Sequence, residues 1–315
     1  MSRRRRRAGL GKRAQFVLEY GLLRGALFGL ACLPRPTALW VARRLGDFAF
    51  DILRLRRRVT FENLRSALGS ELPARELKRV ARGSYRAMGM TFIELTLFGK
   101  RGLGHLARSV RFSGAEHAAA AAALNRGVIY LTAHVGNWEI CAASAALVDA
   151  PITVIIAEQR NPYVDRLVRR SREQMDLTLA PAGYALRGLL RTLRARGRVG
   201  LAGDQDAGPE GIAIPFMGRP ASTAVGPARM AYRTGAPIVI GLDRHVGRGA
   251  HLVEYYPALI ADSRRPEEDE VRRILTEYMR RVEDFVRRHP EQYFWMHRRW
   301  KTVLPAAGKD AACAG

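Results

Sequence analysis

From about Arg111 onward the chain alternates short apolar runs with longer helical stretches, and this alternation constrains the fold most tightly. Residues 128–132, 152–157, 199–202 and 237–242 are short, apolar and rich in β-formers, and read as buried strands. Residues 139–148, 161–175, 186–195 and 224–233 read as the intervening helices, and a charged helix is expected over 266–288. Strands alternating with helices predict an α/β domain with a mostly parallel sheet flanked by helices. Ahead of it the pattern is helical, with periodicity over 39–55 and 73–97. The expected division is a basic tail and helical region over 1–110, the α/β domain over 111–305, and a flexible tail over 306–315.

The N-terminal region looks adapted to a bilayer surface. Arg3 to Arg7, Lys12 and Arg13 precede an apolar stretch, 14–33, that Glu19 and Arg24 interrupt and Pro34 and Pro36 close. A clean spanning helix needs about 20 largely uncharged residues. A secretory signal fits poorly, because the two charges break its apolar core. The stretch reads as a membrane-inserted or interfacial helix whose charges stay near headgroups; an amphipathic helix packed on the α/β domain is the alternative. Arg54 and Arg56 to Arg58 end the second amphipathic stretch, and anionic lipid attracts such residues by about 1 kcal/mol each.

The overall charge agrees. With 53 Lys and Arg against 29 Asp and Glu, the net charge of +24 favours anionic partners: phospholipid headgroups, phosphorylated substrates, an acidic carrier protein or nucleic acid. A non-catalytic membrane- or nucleic-acid-binding protein is the rival from another class. Single-strand binding calls for exposed stacking aromatics among the basic residues, whereas the aromatic content is 8% and lies mostly in apolar runs. No nucleic-acid partner is therefore expected. Cys32, Cys141 and Cys313 show neither paired nor metal-ligand spacing, which points to a reducing compartment and inert thiols.

His134 is the most informative single residue. It follows the 128–132 strand in the run Tyr130-Leu131-Thr132-Ala133-His134-Val135-Gly136-Asn137-Trp138-Glu139, with Asn137 placed to cap the next helix. The carboxyl end of a strand is where open α/β sheets bind ligands. On one continuous helix His134 and Glu139 would diverge by roughly 140°. With His134 in the loop and Glu139 in the first helical turn, the two side chains can meet. A carboxylate on one imidazole nitrogen would leave the other as a general base. A solvated or structural histidine is the alternative.

This run resembles the His-x4-acid motif of the lipid A biosynthesis acyltransferases, the late lauroyl and myristoyl transferases related to glycerolipid acyltransferases. The resemblance covers roughly residues 15–304 through an ordered set of motifs: Arg58 to Leu64, Asn161-Pro162 with its basic helix, Gly203-Asp204-Gln205-Asp206, Ile214-Pro215-Phe216-Met217-Gly218 with Thr223 and Gly226, and Pro290 to Lys301. Glu139 stands where the wider glycerolipid group more often has Asp, which narrows the resemblance to the lipid A branch.

The resemblance implies a membrane-associated enzyme moving a fatty acyl chain from acyl carrier protein to a hydroxyl of a phosphorylated glycolipid, a lipid A precursor. Another glycolipid or glycerolipid acceptor is the nearest alternative. It implies the cytoplasmic face of the inner membrane, an anionic membrane surface as partner, and no cofactor or metal. His134 and Glu139 are then catalytic, with transfer direct and no covalent acyl-enzyme. Arg172 would bind substrate, with Arg169 and Arg170 as rivals, and Asp204 would hold Arg172 or His134. Asp206, Phe216, Gly218 and Thr223 are also implied as substrate-binding. The segment 214–226 reads as a Gly-bounded turn followed by a helix that Ser222 or Thr223 caps.

Overall fold

The computed structural model describes residues 10–156, 158–181, 185–247 and 249–303. The basic run Arg3 to Arg7, residue 157 of the second expected strand, Cys313 and the tail 306–315 lie outside these residues. Five helices open the chain: α1 (Leu10–Cys32), α2 (Arg35–Asp51), α3 (Arg57–Leu68), α4 (Ala74–Arg101) and α5 (Leu103–Ala107). The alternating part follows as β1 (Val110–Ser113), α6 (Ala115–Ala123), β2 (Val128–Thr132), α7 (Trp138–Val148), β3 (Thr153–Ile156), α8 (Pro162–Glu173), β4 (Thr178–Pro181), α9 (Ala185–Arg194) and β5 (Arg198–Ala202). Then come β6 (Ile212–Phe216), β7 (Arg219–Thr223), α10 (Gly226–Thr234), β8 (Ile238–Gly247), β9 (Ala250–Tyr255) and α11 (Glu267–Arg288).

Seven strands form one sheet in the order β1-β9-β8-β2-β5-β3-β4, parallel except between β8 and β9. The expected mostly parallel α/β sheet is present. The chain leaves β2 across β5 to reach β3, and leaves β5 across β2 to reach β8. Neighbouring connections that depart in opposite directions open a crevice at the carboxyl ends of β2 and β5.

Side-chain alternation divides the core between the two faces of the sheet. Ile129, Leu131, Ile238 and Ile240 pack with α3, α9, α10, α11 and the first half of α4. Val128, Tyr130 and Val239 pack with α5, α6 and α7 on the other face. The N-terminal helices thus share the core of the sheet: Leu64 and Tyr85 belong to the cluster that holds Leu131 and Trp295.

α1 keeps one side on the protein. Asn161 Nδ2 donates to the Phe16 carbonyl (2.9 Å) and to Glu19 (3.0 Å), and Leu27 and Leu30 pack against Ala38 and Leu39 of α2. Its other side leaves Leu18, Leu22 and Phe28 about two-thirds exposed, and α2 continues this apolar surface with Trp40, Leu45 and Phe48. Among the described residues no helix is long and apolar enough to cross a membrane.

The segment after residue 211 differs from its sequence reading. It forms an antiparallel hairpin, β6–β7, in register Phe216↔Arg219. Met217 and Gly218 both take positive φ (52° and 70°), the two-residue turn whose twist matches paired strands. The next helix therefore starts at Gly226, and neither Ser222 nor Thr223 caps it. Ser222 Oγ donates to the Gly208 carbonyl, and Thr223 Oγ1 donates to that of Ala221.

Candidate active site

Strand register brings the central pair together. Thr132 of β2 lies opposite Ala202 of β5, and His134 and Asp204 each follow two residues later. His134 Nδ1 lies 2.8 Å from Asp204 Oδ1. Asp204 is buried, while the His134 side chain keeps 20% of its exposure and so remains reachable. Burial works against the protonated ring, but Asp204's charge and hydrogen bond, and then Glu139's charge, raise the His134 pKa above its ordinary value. Burial also opposes the Asp204 carboxylate, yet His134 and then Arg299 hold its pKa below the usual range.

The expected His134–Glu139 pairing is not formed. Glu139 instead receives both prongs of Arg172, Nε at 2.8 Å and a terminal nitrogen at 2.5 Å. Arg172 comes from the last turn of α8, and Glu139 from the first turn of α7, which Asn137 caps as expected by accepting from the Glu139 and Ile140 amides. A guanidinium fork matches a carboxylate bidentately, so Glu139 is committed to Arg172 and reaches His134 through its charge alone. Arg169 pairs with Asp165 instead.

The loop is pinned from outside by the C-terminal segment. Phe294 N donates to the His134 carbonyl (3.0 Å), Gly136 N donates to the Gln292 carbonyl (2.9 Å), and Val135 bridges Tyr293. Trp138 and Phe294 flank the imidazole with ring centroids 4.9 and 6.2 Å away. Tyr278 Oη donates to the Thr132 carbonyl (2.7 Å) and accepts from the Gly203 amide, closing the sheet beneath the pair. Trp138 and Phe294 lie in motifs that carried the resemblance, the 293–301 segment being expected to close near the site, whereas Tyr278 was not singled out from sequence.

An apolar cavity of about 480 Å³ adjoins the pair. Thr132, His134, Glu139, Arg172 and Gln205 supply polar lining, and Tyr130, Cys141, Ile152, Val154, Leu177 and Tyr255 contribute to the apolar wall. Burial and then Asp243's charge push the Cys141 thiol up to about 12, which keeps it unreactive.

The remaining implied residues do not line this cavity. Asp206 clasps the C-terminal segment: its carboxylate accepts from the Thr302 amide (3.1 Å) and hydroxyl (2.9 Å), and its amide donates to His297 Nε2 (3.0 Å). Phe216 is buried and stacked on Trp300 at 5.9 Å. Gly218 serves the hairpin turn, and Thr223 is buried beneath Arg299, which donates to it at 3.0 Å. Arg299 is itself buried, a functional-region residue that sequence reading left undistinguished within a basic run.

Glu94, His245 and His251 lie close enough to share a metal ion. Their charges are already matched: His251 bridges Glu94 and Asp243, and Arg35 stands 3.5 Å from Glu94. His245 Nδ1 lies 3.8 Å from Glu94, and its buried Nε2 has no hydrogen-bond partner among the described residues.

A histidine held at Nδ1 by a buried aspartate, beside an apolar cavity, is a histidine–carboxylate site able to deprotonate a hydroxyl next to a long apolar ligand. The sequence matches the bacterial lipid A biosynthesis acyltransferase family over residues 12–302, and the chain belongs to that family. It is 25% identical over 282 residues to the lipid A biosynthesis lauroyltransferase of Escherichia coli (strain K12), covering 88% of this chain and 90% of that protein. The lipid A biosynthesis palmitoleoyltransferase of the same organism is 24% identical over 282 residues, covering 88% and 89%. A phosphatidylinositol mannoside acyltransferase of Mycobacterium tuberculosis (strain ATCC 25618 / H37Rv) is 27% identical over 198 residues, covering 61% of this chain and 60% of that protein.

Proposed function

We propose that this chain transfers a fatty acyl group from acyl carrier protein to a hydroxyl of a lipid A precursor, with His134 as general base. The observation that carries the reading is the His134–Asp204 pair beside the apolar cavity. His134 Nε2 takes the proton of the acceptor hydroxyl as its oxygen attacks the thioester carbonyl. The tetrahedral intermediate then collapses, the C–S bond breaks, and the departing thiolate takes the proton from the imidazolium. Asp204 fixes the tautomer and supports the positive ring. Glu139 adds a second negative charge nearby, and Arg172 holds Glu139 in place. No serine or cysteine nucleophile is needed, so the acyl group passes directly.

The apolar faces of α1 and α2 lie on the same helices as Arg13, Arg24 and Arg44, with Arg54 and Arg56 just beyond, the composition of an interfacial surface. Together they support attachment to the cytoplasmic face of the inner membrane, where an acidic carrier and a phosphorylated glycolipid both meet a basic protein. The mycobacterial relative favours a second reading, in which the acceptor is another glycolipid.

The test is transfer of radiolabelled acyl groups by the full chain on anionic liposomes, with acyl carrier proteins charged with different chains. A phosphorylated glucosamine lipid and a mannosylated phosphoinositide serve as rival acceptors. Product on the first acceptor is expected, with His134→Ala slowing turnover by about 10²–10⁴-fold and leaving the chain folded. Near-normal turnover in that variant removes the mechanism; product only on the second acceptor replaces the substrate.

A further inference from the structure

The loop that carries His134 is anchored from below by a chain of buried ionic groups distinct from the His134–Asp204 pair. Asn137 is its junction. The Asn137 amide donates to Asp243 Oδ2 at 2.7 Å, and its Nδ2 donates to Glu94 Oε2 at 3.0 Å. Its Oδ1 accepts from the Glu139 and Ile140 amides, 3.2 Å each. His251 closes the ring, with Nδ1 3.0 Å from Asp243 Oδ2 and Nε2 3.1 Å from Glu94 Oε1. Asn137, Asp243 and His251 have no exposed surface and Glu94 has 1%.

A buried ion is tolerated only when fully paired and hydrogen-bonded. The two carboxylates here are matched by His251 and by Arg35, which also donates to Ser109 Oγ (2.6 Å). The loop backbone is shaped to meet them. Gly136 has φ +51°, and a Cβ there would lie 2.1 Å from the Asp243 carbonyl oxygen. Thr91 Oγ1 of α4 donates to the Gly136 carbonyl at 3.0 Å. Every support of residues 136 and 137 from this side comes from α4 or from β8 and β9.

We infer that Asp243, His251 and Glu94 are positioning residues that set the backbone of the 134–137 loop through Asn137, and so aim the His134 imidazole at its substrate. Glu94 sits on α4 and its partner Arg35 on α2. α2, one of the two helices that carry the outward apolar surface, therefore also contributes through Arg35 to the support of the catalytic loop. The inference rests on the acyl-transfer reading only for its kinetic arm.

The test uses the full chain with Glu94→Gln, His251→Gln and the milder Asn137→Ser, which retains an α7 cap but loses the contact to Glu94. A displacement of about 1 Å at a reacting group costs on the order of 10²-fold. Turnover per folded molecule is expected to fall by that order in at least one Gln variant, with KM within about twofold, and this loss is expected to vanish in a His134→Ala background. Imidazole ¹⁵N NMR, which needs no substrate, should show His134 protonated at Nδ1 in the parent and a mixture of tautomers in the variants. A lowered melting temperature with turnover within about threefold of the parent overturns the inference. So does an equal loss with and without His134, or an unchanged His134 signal in every folded variant. If the parent shows no acyl transfer at all, the reaction assignment fails while the NMR arm still decides this one.

Discussion

Two histidines lie within a short distance of one loop and are used in opposite ways. His134 has one carboxylate, Asp204, on Nδ1, and among the described residues its other nitrogen takes part in no hydrogen bond. His251 has a carboxylate on each nitrogen. Burial opposes the charged form of both, but the paired carboxylates of His251 raise its pKa to about 10, so it stays a fixed cation. Glu94 is correspondingly held at about 2 against the cost of its burial, chiefly by His251. The number of carboxylates around an imidazole separates the proposed base from a strut. Arg172 guards this distinction by holding Glu139 away from His134.

Removing the single carboxylate of His134 should have the largest effect. Asp204→Asn is expected to cut turnover on the order of 10²-fold. Asp204 raises the His134 pKa, so its loss lowers that pKa, and the acid limb of the pH–rate profile should move to lower pH. A limb that stays in place would mean the profile reports another group.

Giving His134 a second carboxylate should have a smaller effect. Arg172→Gln releases Glu139 beside the imidazole, which favours the protonated ring. The acid limb is expected to move to higher pH, with turnover near neutrality falling roughly three- to tenfold. If the limb moves the other way, Glu139 does not act on His134 through its charge.

The smallest effect concerns stability. His251 has a folded pKa raised from an ordinary value near 6.5, so its stabilisation is full below that value and is lost as pH rises through about 10. Melting temperature should therefore decline between pH 7 and 10, and less steeply in His251→Gln. Identical slopes in the two proteins would place the alkaline loss elsewhere.

How far the site could be read from sequence depends on the distance of each contact along the chain. The β2–loop–α7 unit was legible because strand, capping Asn137 and helix are contiguous, and β2 falls on the expected residues 128–132. The partner of His134 was not. Glu139 is five residues away and Asp204 seventy; only the pairing of β2 with β5 makes the remote residue the nearer one. Strands β1 and β9 were missed because polar residues interrupt their apolar ones, Arg111 in β1 and His251 and Glu254 in β9, so neither shows a continuous apolar run. The hairpin of β6 and β7 was missed because Pro215 and Pro220 face each other within it and weaken the strand pattern. The apolar faces of α1 and α2 were legible as amphipathic stretches, but their division between protein and solvent depends on contacts such as Asn161 with Glu19.

The backbone clasp between 134–136 and 292–294 has a consequence for biosynthesis. During translation the histidine leaves the ribosome more than 150 residues before the strap that seats it. A growing polypeptide can assemble most of its sheet while the 134–136 loop still lacks these backbone partners. The loop is seated only once residues 292–294 have been made, so fragments released before them would carry His134 in an unclasped loop.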